Sequence, residues 1–206
     1  MPARLYVLAG VNGAGKSSLG GATLQAGGAE FFNPDVFAAR LRELQPRLTA
    51  EQANGLAWTL GRRGLERALA EGLTYAFETT LGGKSIARLL LDGARAGAEV
   101  HVWFAGLGTP ELHLQRIAAR VLAGGHDIPE AKVRERFDAS RSNLVTLMPV
   151  LASLRVFDNS VEADPRVGKR PQPVLLLQMQ AGRVVSHGPL RSVPAWAKPL
   201  LAAALR

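Results

Sequence analysis

The chain has 206 residues, 47% hydrophobic and 20% charged, the size and make-up of one globular domain with a substantial core. No apolar run approaches the roughly 18 residues of a membrane helix, the start lacks a signal-peptide pattern, and zero cysteines exclude disulfides and thiolate metal sites, so a cytoplasmic protein is expected. The net charge of +8 comes mostly from arginines scattered over helices, and with only 6% aromatic residues for base stacking it points to a plain basic surface or an anionic-ligand cleft before a nucleic-acid groove.

Residues 5–9 (LYVLA) read as a buried strand that runs into GVNGAGKS, residues 10–17. This is the phosphate-binding pattern G-x-x-x-x-G-K-[ST], placed between a strand and a helix start. Glycines 10, 13 and 15 let successive backbone N–H groups turn toward a polyphosphate. Gly10, Asn12, Gly13, Ala14, Gly15, Lys16, Ser17 and Ser18 are therefore the candidate nucleotide contacts. Lys16 would meet the terminal phosphates, and the Ser17 hydroxyl would ligate Mg²⁺.

Next comes Phe31-Phe32-Asn33-Pro34-Asp35, then a helix over about 36–44, stopped before Pro46. Asp35 is expected at the end of a second strand beside the phosphate loop, where open α/β sheets bind ligands. There a carboxylate can take a proton from an attacking hydroxyl. Its competing role is an N-cap bonded to the first helical amides, and position alone leaves the two readings level. Thr49 and Gln52 form a capping box for a long helix ending near Gly72.

Residues 74–79 (TYAFET) read as a strand burying Tyr75 and Phe77, with Glu78 at its carboxyl end facing the same crevice. Glu78 would hold a metal-bound water or a substrate hydroxyl, and Thr79, Thr80 and the following Gly82-Gly83 would contact an acceptor. A helix over 84–96 and a clear strand over 99–105 follow. Thr109-Pro110 opens a helix to about 123. Gly124-Gly125 breaks it, and Pro129 restarts a helix through about Ser142. Arg116, Arg120, Arg134, Arg136 and Arg141 flank that break, as does His126. Arginines on such a segment can stabilise a transferring phosphoryl group; any one of them can equally belong to a solvated face. A core strand over 154–158, a loop, a hairpin (174–180 and 183–186 about Ala181-Gly182) and a tail helix near 196–205 complete the chain.

The sequence has no N-K-x-D guanine signature and no transporter signature, and its length argues against an AAA-type ATPase. What remains is a compact phosphotransferase. The alternatives are a nucleotide-dependent nucleic-acid-binding ATPase and a non-catalytic ATP-binding regulatory protein.

GVNGAGKSS, FNPD, FETT, RVLAGGHDIPEAKVRERF and VFDNS, in this order over about residues 4–160, resemble the zeta-toxin family of P-loop kinases. The alternation of strands and helices points to an α/β fold, a parallel sheet covered by helices on both faces with a C-terminal β-hairpin; the resemblance implies that this sheet is nucleotide-kinase-like, with a helical lid over about 110–142. Residues 1–160 would be the kinase domain, and residues 161–206 a hairpin and tail helix packed on it. It also implies transfer of phosphate from ATP, with Mg²⁺, to a hydroxyl of a sugar nucleotide such as UDP-N-acetylglucosamine, and a possible antitoxin partner. Asp35 would be the general base and Glu78 a substrate-site acid. Arg120, and Arg134 or Arg136, would be the phosphate-stabilising arginines, with Arg116 and His126 open alternatives. Asn159 would lie against adenine.

Overall fold

The computed structural model describes residues 1–16, 19, 31–161 and 172–206. The helix expected to follow the phosphate loop, with Ser17 and Ser18, lies outside them. The strands are β1 (Arg4–Ala9), β2 (Phe31–Phe32), β3 (Thr74–Thr79), β4 (Glu99–Gly106), β5 (Ser153–Asp158), β6 (Val174–Gln180) and β7 (Arg183–His187). The described helices are α1 (Pro34–Leu44), α2 (Ala50–Glu71), α3 (Lys84–Arg95), α4 (Pro110–Leu122), α5 (Glu130–Leu147) and α6 (Lys198–Ala204).

The strands form one sheet in the order β2-β3-β1-β4-β5-β6-β7. The first five run parallel, and the hairpin β6–β7 extends the sheet antiparallel from β5. The fold is α/β and P-loop kinase-like, with a mixed, mainly parallel sheet. Ala181 (φ 47) and Gly182 (φ 70) make the hairpin turn, both left-handed as the tight twist of a two-residue connection requires.

The order corrects one expectation. β2 is not beside β1; β3 lies between them, so Glu78 at the end of β3 separates Asp35 from the phosphate loop.

Alternation puts Leu5, Val7 and Ala9 of β1 on one face, all at 0% exposure. They meet Leu65 of α2, Leu90 of α3, Leu144 and Leu147 of α5 and Leu200 of α6 in one continuous core. Each such side chain contributes about 1.5–3 kcal/mol on burial. This core also explains why α5 runs to Leu147, past the expected Ser142. Leu144 and Leu147 are needed on the sheet, and Pro149 stops the α-helix just beyond them. The tail helix starts at Lys198, not near Trp196, because Trp196 sits in a short 3₁₀ turn and packs its ring against Phe104.

Local signals set the helix starts. Thr49 and Gln52 make the reciprocal capping box of α2, and Gly72 (φ 67) ends it. Thr109 caps α4 ahead of Pro110. Among the described residues no helix is long and apolar enough to cross a membrane.

Candidate functional site

β1 delivers the chain into the glycine loop, and the loop is tightly held. Gly13 (φ 80) and Gly15 (φ 75) are left-handed; a Cβ would come within 2.7 Å of the His113 carbonyl oxygen and 2.3 Å of Asn159 Nδ2 respectively. No other residue fits there without displacing a neighbour. Asn12 and Lys16 are polar yet only 7% exposed. Lys16 Nζ donates to the Val11 carbonyl (3.4 Å) and pairs with Glu78 Oε1 at 3.3 Å.

Asn33, rather than Asp35, caps α1: its Oδ1 accepts from the amides of Asp35 (2.9 Å) and Val36 (3.2 Å). The N-cap reading of Asp35 is thereby corrected, because the cap is already supplied and the Asp35 carboxylate is left for other partners. Asn33 Nδ2 also donates to Glu78 Oε2 (3.1 Å). A polar chain therefore runs from the helix carrying Asp35, through Asn33 and Glu78, to Lys16.

Asp35 faces a cavity of about 410 Å³. Lys16, Glu78, Thr79, Thr80, Arg136 and His126 share its lining, as do Trp58 and Arg62 of α2. Each Asp35 oxygen faces one basic side chain: Oδ2 is 3.7 Å from Arg120 Nη1, and Oδ1 is 3.8 Å from His126 Nε2. Arg120 Nη2 in turn donates to the His126 carbonyl (3.2 Å), so the Gly124-Gly125 break folds the two onto one carboxylate. The Thr79 and Thr80 hydroxyls accept from the amides of Leu81 (3.0 Å) and Gly82 (3.4 Å). Leu81 has φ 53, unfavourable for a residue with a Cβ, and Asn143 Nδ2 holds its carbonyl at 2.8 Å.

The arginines separate clearly. Arg136 Nη1 donates to Asn12 Oδ1 (2.8 Å), against the phosphate loop. Arg134, the other sequence candidate, does not line the cavity; it pairs with Glu130 and Glu111 at 2.8 Å each in solvent. Arg116 Nη2 donates to the Asn159 carbonyl (2.9 Å). Arg141 has a structural post, stacked on Phe137 and bonded to the Trp196 carbonyl. Asn159 Nδ2 donates to the Ala14 carbonyl (2.9 Å), which ties it to the phosphate loop.

Sequence reasoning missed His113. It is completely buried under the loop, with Nδ1 2.8 Å from the Asn12 carbonyl oxygen. Burial, with Lys16 and Arg116 nearby, pushes its pKa down to about 4. Its only sequence signal was a histidine on the inner side of an amphipathic helix. Among the described residues no cluster of three or more His, Asp or Glu is arranged to hold a metal.

A glycine loop after the first strand, a buried lysine and a carboxylate-bearing crevice at the strand ends define a P-loop protein of kinase-like fold. The family described as an AAA domain (AAA_33) matches residues 5–145, and the chain belongs to it. Over 128 residues the chain is 32% identical to an uncharacterised protein of Haemophilus influenzae, covering 62% of this chain and 88% of that one.

Solved structures share the fold. A chain of the AvrRxo1-ORF1:ORF2 complex with ATP superposes with a TM-score of 0.67 at 17% identity, over 98% of this chain; this chain spans 64% of its length. A putative kinase from Chloroflexus aurantiacus gives 0.56 at 16% identity, covering 83% and 99% of the two chains. A chain of the PezAT toxin–antitoxin system of Streptococcus pneumoniae gives 0.53 at 16%, covering 77% and 68%.

Proposed function

We propose that the protein is an ATP-dependent phosphotransferase that moves the γ-phosphate to a hydroxyl of a small molecule. One observation carries this reading: the Asp35 carboxylate, free of capping duty, opens into the same cavity as Lys16. In the reaction an acceptor hydroxyl oxygen bonds to the γ-phosphorus, the bond to the β-phosphate oxygen breaks, and ADP leaves with that electron pair. Asp35 takes the hydroxyl proton, a contribution of about 10²–10⁴-fold in rate. Lys16 turns from Glu78 toward the β- and γ-phosphates. Arg136, beside Asn12, stabilises charge on the transferring group, and Arg120 orients Asp35.

The crevice offers hard oxygen donors, Asp35, Glu78 and threonine hydroxyls, in a chain without thiols, and this chemistry suits Mg²⁺. Ser17 would hold the ion, which supplies charge neutralisation on the phosphates. Asn159, tied to the loop through the Ala14 carbonyl, would border adenine.

For the acceptor, Glu78, Thr79 and Thr80 offer hydroxyl-binding groups, and a sugar nucleotide of the UDP-N-acetylglucosamine type fits that chemistry and the resemblance of the motifs. An antitoxin-like partner belongs to the same reading, since the AvrRxo1 structure is a two-protein complex and PezAT is a toxin–antitoxin system. Incubation with γ-labelled ATP and a panel of sugar nucleotides, sugars and nucleosides tests it. Label on a sugar nucleotide supports the full reading; label on another alcohol keeps the transferase and replaces the acceptor. Hydrolysis alone, stimulated by DNA or RNA, overturns it.

A further inference from the structure

His113 has no place in the chemistry above, yet it is among the most enclosed polar side chains described, at 0% exposure in α4. Its Nδ1 lies 2.8 Å from the carbonyl oxygen of Asn12. A carbonyl only accepts, so the proton must sit on Nδ1; the other tautomer would set two lone pairs against each other. Nε2 is buried and has no hydrogen-bond partner among the described residues. A second proton there would be stranded without an acceptor, close to Lys16 and Arg116. Phe137 packs edge-on to the ring, with centroids 5.7 Å apart, and holds its plane. The imidazole is thus a neutral, single-tautomer donor aimed at one loop carbonyl.

That carbonyl matters because a trans peptide is planar, with C=O and N–H pointing opposite ways. Fixing the Asn12 carbonyl toward α4 aims the Gly13 N–H away from α4, and the backbone of the loop binds phosphate through such N–H groups. The same residue receives Arg136 on its side chain, Nη1 to Oδ1 at 2.8 Å. Asn12 is therefore the point where α4, through its carbonyl, and α5, through its amide, are both tied to the loop.

We infer that His113 is a positioning residue for nucleotide binding: as an Nδ1–H donor to Asn12 it holds the loop in its phosphate-accepting conformation. The inference rests on the loop cradling a nucleotide and is independent of the acceptor.

The test is ATP affinity by calorimetry in three variants, with KM for ATP and kcat where turnover is detectable. An Asn amide nitrogen falls near Nδ1, a Gln amide nitrogen near Nε2, and Phe supplies shape alone. His113→Asn should bind ATP within about twofold of wild type, while His113→Gln and His113→Phe lose about tenfold, the cost of a buried carbonyl left unpaired. KM rises in those two while kcat at saturating ATP holds. Equal affinities in the Asn and Gln variants, or wild-type affinity in the Phe variant, overturn the inference. Should the variants fail to fold, imidazole ¹⁵N shifts of the wild-type protein decide: Nδ1–H at neutral pH is required, and Nε2–H refutes it. Wild-type protein that binds ATP but transfers no phosphate removes the transferase reading and leaves this one standing. Wild-type protein that binds no ATP removes both.

Discussion

Glu78 Oε1 lies 3.3 Å from Lys16 Nζ, and the two side chains are 11% and 7% exposed. A nearly buried lysine thus has its countercharge supplied by the protein until a phosphate arrives, and the carboxylate that supplies it is the one held by Asn33. Glu78→Gln takes the negative charge from beside Lys16, which among the described residues then keeps uncharged acceptors alone, the new amide oxygen and the Val11 carbonyl. We expect it to lower stability by about 1–3 kcal/mol, and ATP to raise the melting temperature more in the variant than in wild type, because phosphate replaces the missing charge. Thermal unfolding with and without ATP checks both.

Arg134 and Arg136 are two residues apart and have unlike surroundings. Arg136→Ala should reduce phosphate transfer at least about 10²-fold, in keeping with loss of a transition-state arginine. Arg134→Ala removes only exposed ion pairs with Glu130 and Glu111 and should stay within about twofold. Steady-state rates of the two variants side by side decide which arginine serves the reaction.

Asn33 has two duties, and substitutions divide them. Asn33→Ala should cost about 1 kcal/mol as a lost helix cap and also lower transfer, since the start of α1 carries Asp35. Asn33→Asp keeps the cap acceptor but replaces the donor to Glu78 with a carboxylate, so the helix-cap loss of about 1 kcal/mol is avoided while transfer still falls. Chemical denaturation and rate measurements on the pair check this.

The phosphate loop, Asp35 and Glu78 were legible in the sequence because each is announced locally: a glycine pattern after an apolar strand, an acid opening a helix, an acid closing a strand. The capping box at Thr49 and the turn at Ala181-Gly182 were legible for the same reason. What joins residues distant in sequence was not. The order β2-β3-β1 placed Glu78 between Asp35 and Lys16, and no local pattern encodes strand order. That Arg136 reaches Asn12 while Arg134 pairs with Glu130 and Glu111 depends on how α5 packs against the loop, as both lie in one charged stretch. His113 stayed hidden because its ring pairs with a carbonyl 101 positions away.

His113 also makes a pH prediction. Its pKa falls from 6.5 to about 4 on folding, so between those values the unfolded chain binds the extra proton. Stability from this group is complete above about pH 6.5 and is lost as pH falls toward 4, by about 3 kcal/mol in total. Denaturant midpoints across that range should show this slope in wild type and a shallower one in His113→Asn.

The account turns on Asp35 as the group that takes the acceptor's proton, and Asp35→Asn tests it most directly, with ATP affinity and phosphate transfer measured on the same protein. The variant should bind ATP within about threefold of wild type and transfer phosphate at least about 10²-fold more slowly. Wild-type turnover in Asp35→Asn would contradict the account.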